Sequence, residues 1–379
     1  MTPRIELVTT WERLASLECP WRRLWEHAAA DVFQSYDWIA TWGQSAVMAG
    51  AQLRIGIAWH GDAMLAVLPL AVRRQSFIRS LEWVSQEFSD YCDALIEPDA
   101  SILLVRQLWI AIHQAGGFDV VRLAQVRPDS RVRQLLATTE TRSGKLQMRE
   151  SRIPCLGVAK AWTNGEDWFR SLNKKGRNNF TRGRRILCEL GGEVEFEIVD
   201  PTRTPVEPIL HHIMELKRNW LQSHEPNSPL LGLDGSRQQE VLLAALNAGL
   251  MRIFLLTCGG TIAAASLNFV YEDKLQAYLT AYDERYERAS PGTILIIHYV
   301  KWAFARELRY VDFLRGDEPF KFRFANADIR LTTFVGGRTW SGRTALYLYR
   351  WYSDLRAALR NRSVPLDECD QVTAPIRKY

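Results

Sequence analysis

Charged and hydroxyl side chains gather at two places in the second half of the chain, each directly after an apolar run typical of a strand. Tyr282 and Asp283 end one such run, and Arg315, Asp317 and Glu318 follow the other. A carboxylate whose pKa is raised by burial can remove a proton from a nucleophile, and a neighbouring cation can bind an anionic group. These five residues are candidates for an acid–base site. An ion network that braces two strand ends is the alternative.

A second candidate site lies between these groups, where a polar loop leads into an apolar helical segment. Ser290 is placed to cap the helix, Pro291 suits its first position, and Gly292 lets a ligand approach the backbone. Unpaired N–H groups at a helix start attract phosphate. An ordinary capped helix is the alternative. The candidate phosphate ligands are Arg285, Arg288, Ser290, Gly292 and Thr293.

The net charge of +5 comes from one stretch, from Arg170 to Arg185, that holds no acidic residue. Without this stretch the chain would be slightly acidic, so a generally basic, nucleic-acid-binding protein is not indicated. Arg170, Lys174 and Arg177 share one helix face. That stripe suits cofactor phosphates, an anionic glycan, a peripheral membrane contact or RNA, with a solvated face as the alternative. Lys174, Arg177 and, beyond the second cluster, Lys321 are candidate substrate ligands.

Composition excludes several classes of protein. Hydrophobic residues make up 47% and charged residues 24% of the 379 residues, as in a globular protein rather than a disordered, collagen-like or coiled-coil chain. No apolar run approaches the ~20 residues that span a bilayer. The N-terminal segment lacks the apolar core of a signal peptide, so a cytoplasmic protein is expected. The six cysteines are scattered and no histidine spacing matches a metal site, so we expect neither disulfides nor a metal.

The elements that must position these residues follow a definite order in the second half of the chain. Alternating and helical apolar spacings predict a strand at 193–200, helices at 205–224 and 236–247, strands at 251–258, 261–271 and 274–283, a helix at 293–307 and a strand at 310–314. Gly259 and Gly260 indicate a hairpin between the first two of the three consecutive strands. The carboxyl ends of the last two strands carry the candidate acid–base residues.

The first half repeats this order. The predicted elements are strands at 4–10, 52–60, 63–74, 81–84, 91–96 and 118–126, with helices at 11–18, 35–45 and 101–115. Such repetition predicts a duplicated α/β protein, and coincidence among common α/β elements is the alternative. We place the lobes at 1–160 and 161–340, with a weakly periodic joint at 140–170. A C-terminal helix at 344–360 belongs to a tail at 341–379.

The element order resembles the fold of the GNAT acyltransferases. Three segments resemble its CelD-like branch, which is found with bacterial cellulose and exopolysaccharide synthesis: 173–192, 279–307, and 310–324, whose strand ends in Arg-Gly-Asp-Glu followed by Pro-Phe-Lys. The branch is similar to the duplicated FemABX aminoacyltransferases. The resemblance implies tandem GNAT-like lobes with mixed, mainly antiparallel sheets and helices on both faces.

The resemblance also implies a function. In that fold acetyl-CoA or another acyl-CoA enters between two parted strands, and its pyrophosphate rests on the helix start, here Arg285 to Thr293. The implied activity is acyl transfer to a glycan or envelope precursor in bacterial exopolysaccharide or cell-envelope biosynthesis. The alternatives are a non-catalytic partner of a polysaccharide-synthesis complex and a FemABX-like transferase that uses aminoacyl-tRNA.

One segment departs from the family pattern. The usual pyrophosphate loop reads Q/R-x-x-G-x-G/A, but from Arg288 this chain reads R-A-S-P-G-T, with one glycine a residue late and the other absent. The first half carries Glu97 and Asp99 at the corresponding place, and these acids would repel a pyrophosphate. We therefore expect the cofactor in the second lobe only.

Overall fold

The computed structural model describes residues 3–348 except 139 and 142–143. These residues form two compact units, of which the first holds 3–152 and 330–348 and the second holds 153–329. The chain thus leaves the first unit, builds the second and returns, whereas the sequence placed the lobes at 1–160 and 161–340. Residues 340–348 are helical, and the rest of the helix predicted at 344–360 lies outside the described residues.

The first unit contains the predicted elements, together with two helices and four strands that the sequence analysis did not predict. Its strands are β1 (Arg4–Val8), β2 (Gln52–His60), β3 (Ala63–Gln75), β4 (Ile78–Trp83), β5 (Leu95–Ile96), β6 (Val120–Val126), β7 (Glu140–Thr141), β8 (Gly144–Lys145), β9 (Gln147–Glu150) and β17 (Thr332–Gly337). Its helices are α1 (Trp11–Ala15), α2 (Glu18–His27), α3 (Tyr36–Met48), α4 (Leu103–Ala115) and α5 (Arg131–Thr138). One of the two helices that were not predicted, α2, carries Pro20 in its first turn, where a proline removes no helical hydrogen bond.

The second unit follows the predicted order closely. Its strands are β10 (Cys155–Ala159), β11 (Val194–Ile198), β12 (Met251–Cys258), β13 (Thr261–Tyr271), β14 (Lys274–Tyr282), β15 (Tyr310–Arg315) and β16 (Ala327–Ile329). Its helices are α6 (Gly165–Ser171), α7 (Lys174–Gly191), α8 (Val206–His224), α9 (Leu233–Asn247), α10 (Pro291–Ala305) and α11 (Pro319–Phe324). A 3₁₀ turn at Glu284–Ala289 leads into α10, which begins at Pro291 rather than at Thr293.

The two units repeat one sheet topology. The strand order is β1-β2-β3-β4-β6-β17-β9 in the first and β11-β12-β13-β14-β15-β10-β16 in the second. In each sheet the pair β4·β6 or β14·β15 is parallel, and the other neighbours in these orders are antiparallel. The predicted repeat is therefore confirmed in strand order and direction. Strand β10, placed by the sequence in the joint, completes the second sheet, while β17 returns to complete the first.

Helix α10 is the most apolar element beside the second sheet. It packs on β12, β13 and β14 and is flanked by α6 and α7. Ile294, Leu295, Ile297 and Val300 are buried, each worth roughly 1.5–3 kcal/mol relative to exposure. Burial on several sides fixes the position of the start of this helix beside β14.

Two features are absent from the described residues. No helix there is long and apolar enough to cross a membrane, and no group of histidine, cysteine or acidic residues there could hold a metal ion. Cys19, Cys92, Cys155, Cys188 and Cys258 are free thiols. Cys369 lies outside the described residues.

Candidate active site

Strands β14 and β15 begin as a parallel pair and then part. Their register runs only to Gln276 opposite Asp312, although β14 continues to Tyr282 and β15 to Arg315. Beyond that point, within the described residues, no strand pairs with the open edge of β14. Backbone N–H and C=O groups along such an edge are available to a bound molecule. We call the space between 277–282 and 313–315 the strand gap.

The start of α10 lies against Thr280 of β14. A Cβ atom added to Gly292 would meet, among the described residues, the Thr280 methyl group at 3.8 Å and no other atom within 4 Å. Thr280 is held in turn by a buried polar network, in which its hydroxyl lies 3.3 Å from that of Ser266 and Ser266 donates to Asn268 Oδ1 at 2.8 Å. The helix start is therefore fixed beside the strand gap, with open space at Gly292.

The local geometry of this helix start agrees in part with the predicted anion site. Pro291 occupies the first position of α10, as predicted. Ser290 occupies the cap position, but it is left-handed (φ 55°) and its side chain makes no capping hydrogen bond. Its carbonyl accepts from the N–H groups of Thr293 and Ile294 at 3.0 and 3.3 Å. The Gly292 N–H has no backbone acceptor among the described residues, so it is the amide that faces outward.

Asp283 is an ion-paired cap rather than a free base. It caps the 3₁₀ turn, and its carboxylate accepts from the N–H and guanidinium of Arg285, with Nη2 at 2.5 Å. Burial alone would raise the pKa of Asp283, but the hydrogen bonds from Arg285 outweigh it and hold the pKa below its usual value. The guanidinium of Arg285 is 71% exposed and Arg288 is exposed as well, so both can still reach an anion.

Glu318 and Lys321, which follow β15, form an ion pair that we call the clamp. The Lys321 ammonium lies 3.0 Å from Glu318 Oε2 and donates to the carbonyls of Arg315 and Leu314 at 3.2 and 3.5 Å. A Cβ atom on Gly316 would collide with both members of this ion pair, so any other residue here must displace the ends of these two side chains. The Lys321 ammonium is thus within 3.5 Å of three protein oxygens, and this geometry favours a bracing role over the substrate contact that the sequence suggested.

The two predicted clusters are not joined by an ion pair. Among the described residues the salt bridge of Asp283 is with Arg285 and not with Arg315. Helix α8 provides the link instead, because Trp220 faces the Tyr282 hydroxyl at the end of β14. One turn earlier on α8 lies Lys217. The negative charge of Glu318, which follows β15, acts to raise the pKa of Lys217. The catalytic roles assigned to Tyr282, Asp283, Arg315, Asp317 and Glu318 stay predictions.

Lys217 is a buried residue of this region that the sequence analysis missed. It is 8% exposed, and it stands on the apolar face of α8 with Leu210, Ile213 and Leu221, which are also buried. That spacing of i, i+3, i+7 and i+11 is visible in the sequence. A lysine at a core-facing helical position was the signal that could have identified it.

The basic helix α7 packs beside the start of α10. Phe180, Gly183 and Leu187 form its buried face. The predicted stripe is divided, because Arg170 pairs with Asp167 at 3.4 Å and the Arg177 guanidinium donates to the carbonyls of Arg170 and Leu172 at the end of α6. The exposed basic residues of α7 are Lys174, Lys175, Arg182, Arg184 and Arg185.

In the first unit, the space where β4 and β6 part corresponds to the strand gap. It is occupied by the segment that holds Gln86 and Phe88, which we call the plug. Strands β4 and β6 are paired only at Ser80–Leu81 and Val120–Val121. Where they part, the Gln86 side chain accepts from the N–H of Ala124 at 2.9 Å and donates to Glu82 at 3.2 Å. The ring of Phe88 stacks on Trp42 with centroids 3.6 Å apart. This plug gives a physical reason why a cofactor would not enter the first unit.

Comparison with known proteins agrees with this architecture. Residues 174–322 match a family model described as an acetyltransferase (GNAT) domain. The matched segment contains α7 to α11, and therefore the strand gap and the start of α10. The protein has a tandem GNAT fold, a fold that generally uses acyl-CoA donors.

Solved structures show likeness at low sequence identity. The C-terminal domain (DUF2156) of a putative lysylphosphatidylglycerol synthetase from Agrobacterium fabrum aligns with a TM-score of 0.54 at 14% identity, covering 89% of this chain and 95% of that one. A conserved protein from Bacteroides thetaiotaomicron gives 0.49 at 12%, covering 88% and 100%. A tandem GNAT protein from the clavulanic acid biosynthesis pathway gives 0.46 at 11%, covering 89% and 99%. Comparison with curated proteins gives no significant match.

Proposed function

We propose that this protein transfers an acyl group from acyl-CoA, with acetyl-CoA as the donor, to an amine or hydroxyl acceptor. The observation that carries this proposal is the parting of β14 and β15 after Gln276 and Asp312, next to a helix start that is open at Gly292. The unpaired edge of β14 suits an extended chain containing amides, and the helix start suits a pyrophosphate.

The residues around the strand gap can serve each part of the reaction. Arg285, Arg288 and the backbone from Ser290 to Thr293 would hold the donor phosphates. N–H groups on the open edge of β14 would stabilise the oxyanion that forms at the thioester carbon. Tyr282 keeps its proton at neutral pH because burial raises its pKa further, so its hydroxyl can protonate the departing thiolate.

The proposed biological setting comes from the CelD-like resemblance. We propose a glycan or envelope precursor as the acceptor and bacterial exopolysaccharide or cell-envelope synthesis as the process. A second candidate is a FemABX-like transfer from aminoacyl-tRNA, which the exposed basic residues of α7 favour. A third is a non-catalytic partner of a polysaccharide-synthesis complex, which would bind no donor productively.

Calorimetric titration with acetyl-CoA tests the donor site. In Gly292→Glu a carboxylate would occupy the phosphate position, and a helix N-terminus tolerates it because the macrodipole favours negative charge there. Leu103→Glu is the matched control, because the exposed Leu103 begins α4, the counterpart of α10 in the first unit. We expect Gly292→Glu to weaken binding by about tenfold or more, or ~1.4 kcal/mol, and Leu103→Glu to leave it unchanged. Equal affinity for all three proteins would refute the proposed donor site.

A further inference from the structure

Lys217 is a buried lysine of the second unit. Its ammonium lies 4.4 Å from the centre of the Trp220 ring. Across 3–138, 140–141 and 144–348 it takes part in no hydrogen bond or salt bridge. Burying an amine in this way costs stability that a methionine at the same place would not. The residue is therefore poorly explained as a structural element of α8.

Lys217 is related to both strands that border the strand gap, β14 and β15. Helix α8 packs on β14, and its next turn places Trp220 against Tyr282 at the end of that strand. Glu318, which follows β15, acts on Lys217 electrostatically. The amine thus lies near the open end of the strand gap, where an acceptor must meet the thioester.

The surroundings of Lys217 favour a neutral amine. Burial lowers its pKa to about 8, and the carboxylates of Glu225 and Glu318 counteract this only in part. Lys321 is already paired with Glu318, and Tyr282 is protonated. Near pH 8 about half of the molecules therefore carry an uncharged Lys217 amine.

We propose that Lys217 is the general base of acyl transfer and that the acceptor is a primary amine; this rests on the acyl-CoA function proposed above. Two of the other candidate bases are engaged, since Asp283 is paired with Arg285 and Glu318 with Lys321. An acceptor ammonium with a pKa of about 8, such as an α-amino group, matches Lys217, so a proton moves between them with little cost. The face of Trp220 stabilises the cation that results.

The proposed reaction moves two protons and exchanges a carbon–sulfur bond for a carbon–nitrogen bond. The neutral Lys217 amine takes one proton from the acceptor ammonium and becomes an ammonium itself. The acceptor nitrogen then forms a bond to the thioester carbon, and the carbon–sulfur bond breaks in favour of the coenzyme A thiolate. That thiolate takes the second nitrogen proton, through Tyr282 or directly, which leaves an amide and a free thiol. Lys217 releases its proton to solvent.

The test compares Lys217→Met and Lys217→Arg with Lys274→Met, a control at the exposed start of β14 where the lysine pairs with Glu272. Acetyl-CoA binding is measured first by calorimetry. Acetyl transfer to glucosamine and to ethanolamine is then followed from pH 6 to 10. Labelling with acetic anhydride, read by peptide mass spectrometry across the same range, gives the titration of Lys217 and Lys274 in one sample.

We expect Lys217→Met to bind acetyl-CoA normally, to melt no lower than wild type, and to lose ~100-fold or more in kcat/KM, with the acidic limb of its pH profile now set by the pKa of the acceptor amine. Lys217 should titrate well below Lys274, and Lys217→Arg should not restore activity. The proposal is overturned by a kcat/KM of Lys217→Met close to wild type, by co-titration of the two lysines, or by donor binding with no amine acetylated. Failure of wild type to bind acetyl-CoA would instead refute the proposed donor function.

Discussion

Gly183 of α7 packs directly against the carbonyl oxygen of Ala289, the residue before the cap of α10. A Cβ atom at Gly183 would lie 2.5 Å from that oxygen and 3.0 Å from Ile294 Cδ1. The absence of a side chain at one position of the basic helix therefore allows close packing against the proposed phosphate site. Arg182 and Arg184 are its neighbours on this helix.

Gly183→Ala should destabilise the protein although alanine is the better helix former. The added methyl group must push α7 away from Ala289, at a cost of ~1–3 kcal/mol, and should weaken acetyl-CoA binding as well. The control is Gly176→Ala in the same helix, where the nearest atom is the Asn173 side chain at 3.3 Å and helix propensity favours alanine by up to ~1 kcal/mol. Urea unfolding measures the change in the free energy of unfolding for both variants, which should be a decrease for Gly183→Ala and an increase for Gly176→Ala. Equal effects would mean that the contact has no energetic importance.

Asp283→Asn should lower stability at neutral pH by ~1 kcal/mol, because the cap is kept while the ion pair with Arg285 is lost. The pKa of Asp283 is lowered in the folded protein. Its contribution is therefore present above the unfolded pKa of about 3.9 and is lost as pH falls through the lower folded value. Chemical unfolding at pH 7 and at pH 3 should show the difference between wild type and variant shrinking in acid. A pH-independent difference would contradict the ion-pair assignment.

Gly316→Ala should cost ~1–3 kcal/mol, because the new methyl group would displace the Glu318–Lys321 pair from the end of β15. Gly292→Ala serves as its control, since a methyl group there would lie 3.8 Å from the Thr280 methyl, an ordinary contact. Thermal unfolding monitored by circular dichroism distinguishes the two. A neutral Gly316→Ala would show that the clamp does not hold the strand end.

Gln86→Leu should destabilise the first unit without changing acetyl-CoA affinity. The substitution leaves the Ala124 N–H and the buried Glu82 carboxylate without this partner, at ~1–3 kcal/mol. Gln52→Leu, at the exposed start of β2, controls for the change in side-chain type. Calorimetry and unfolding are measured on the same preparations. A new or stronger acetyl-CoA binding event in Gln86→Leu would mean that the plug closes a functional site.

The sequence predicts the strands β12 and β13 with the observed bounds because their apolar alternation and the Gly259–Gly260 turn are local signals. It also predicts the repeated order, since each half carries the same series of periodic segments. It does not predict that β10 and β17 complete their sheets from distant parts of the chain, because short strands carry no information about their partners. Nor does it identify the partner of Asp283, which depends on the turn that brings Arg285 back onto it. The burial of Lys217 is visible in the helical spacing, but only packing establishes that no carboxylate pairs with it.

A crystal structure of the complex with acetyl-CoA is the most direct test of the proposed donor site in the second unit. We expect one acetyl-CoA per chain, with its amide-containing arm along 277–282 of β14 and its pyrophosphate at the N–H group of Gly292. The plugged gap of the first unit should remain empty. Acetyl-CoA bound between β4 and β6, or bound away from the start of α10, would refute the proposed donor site.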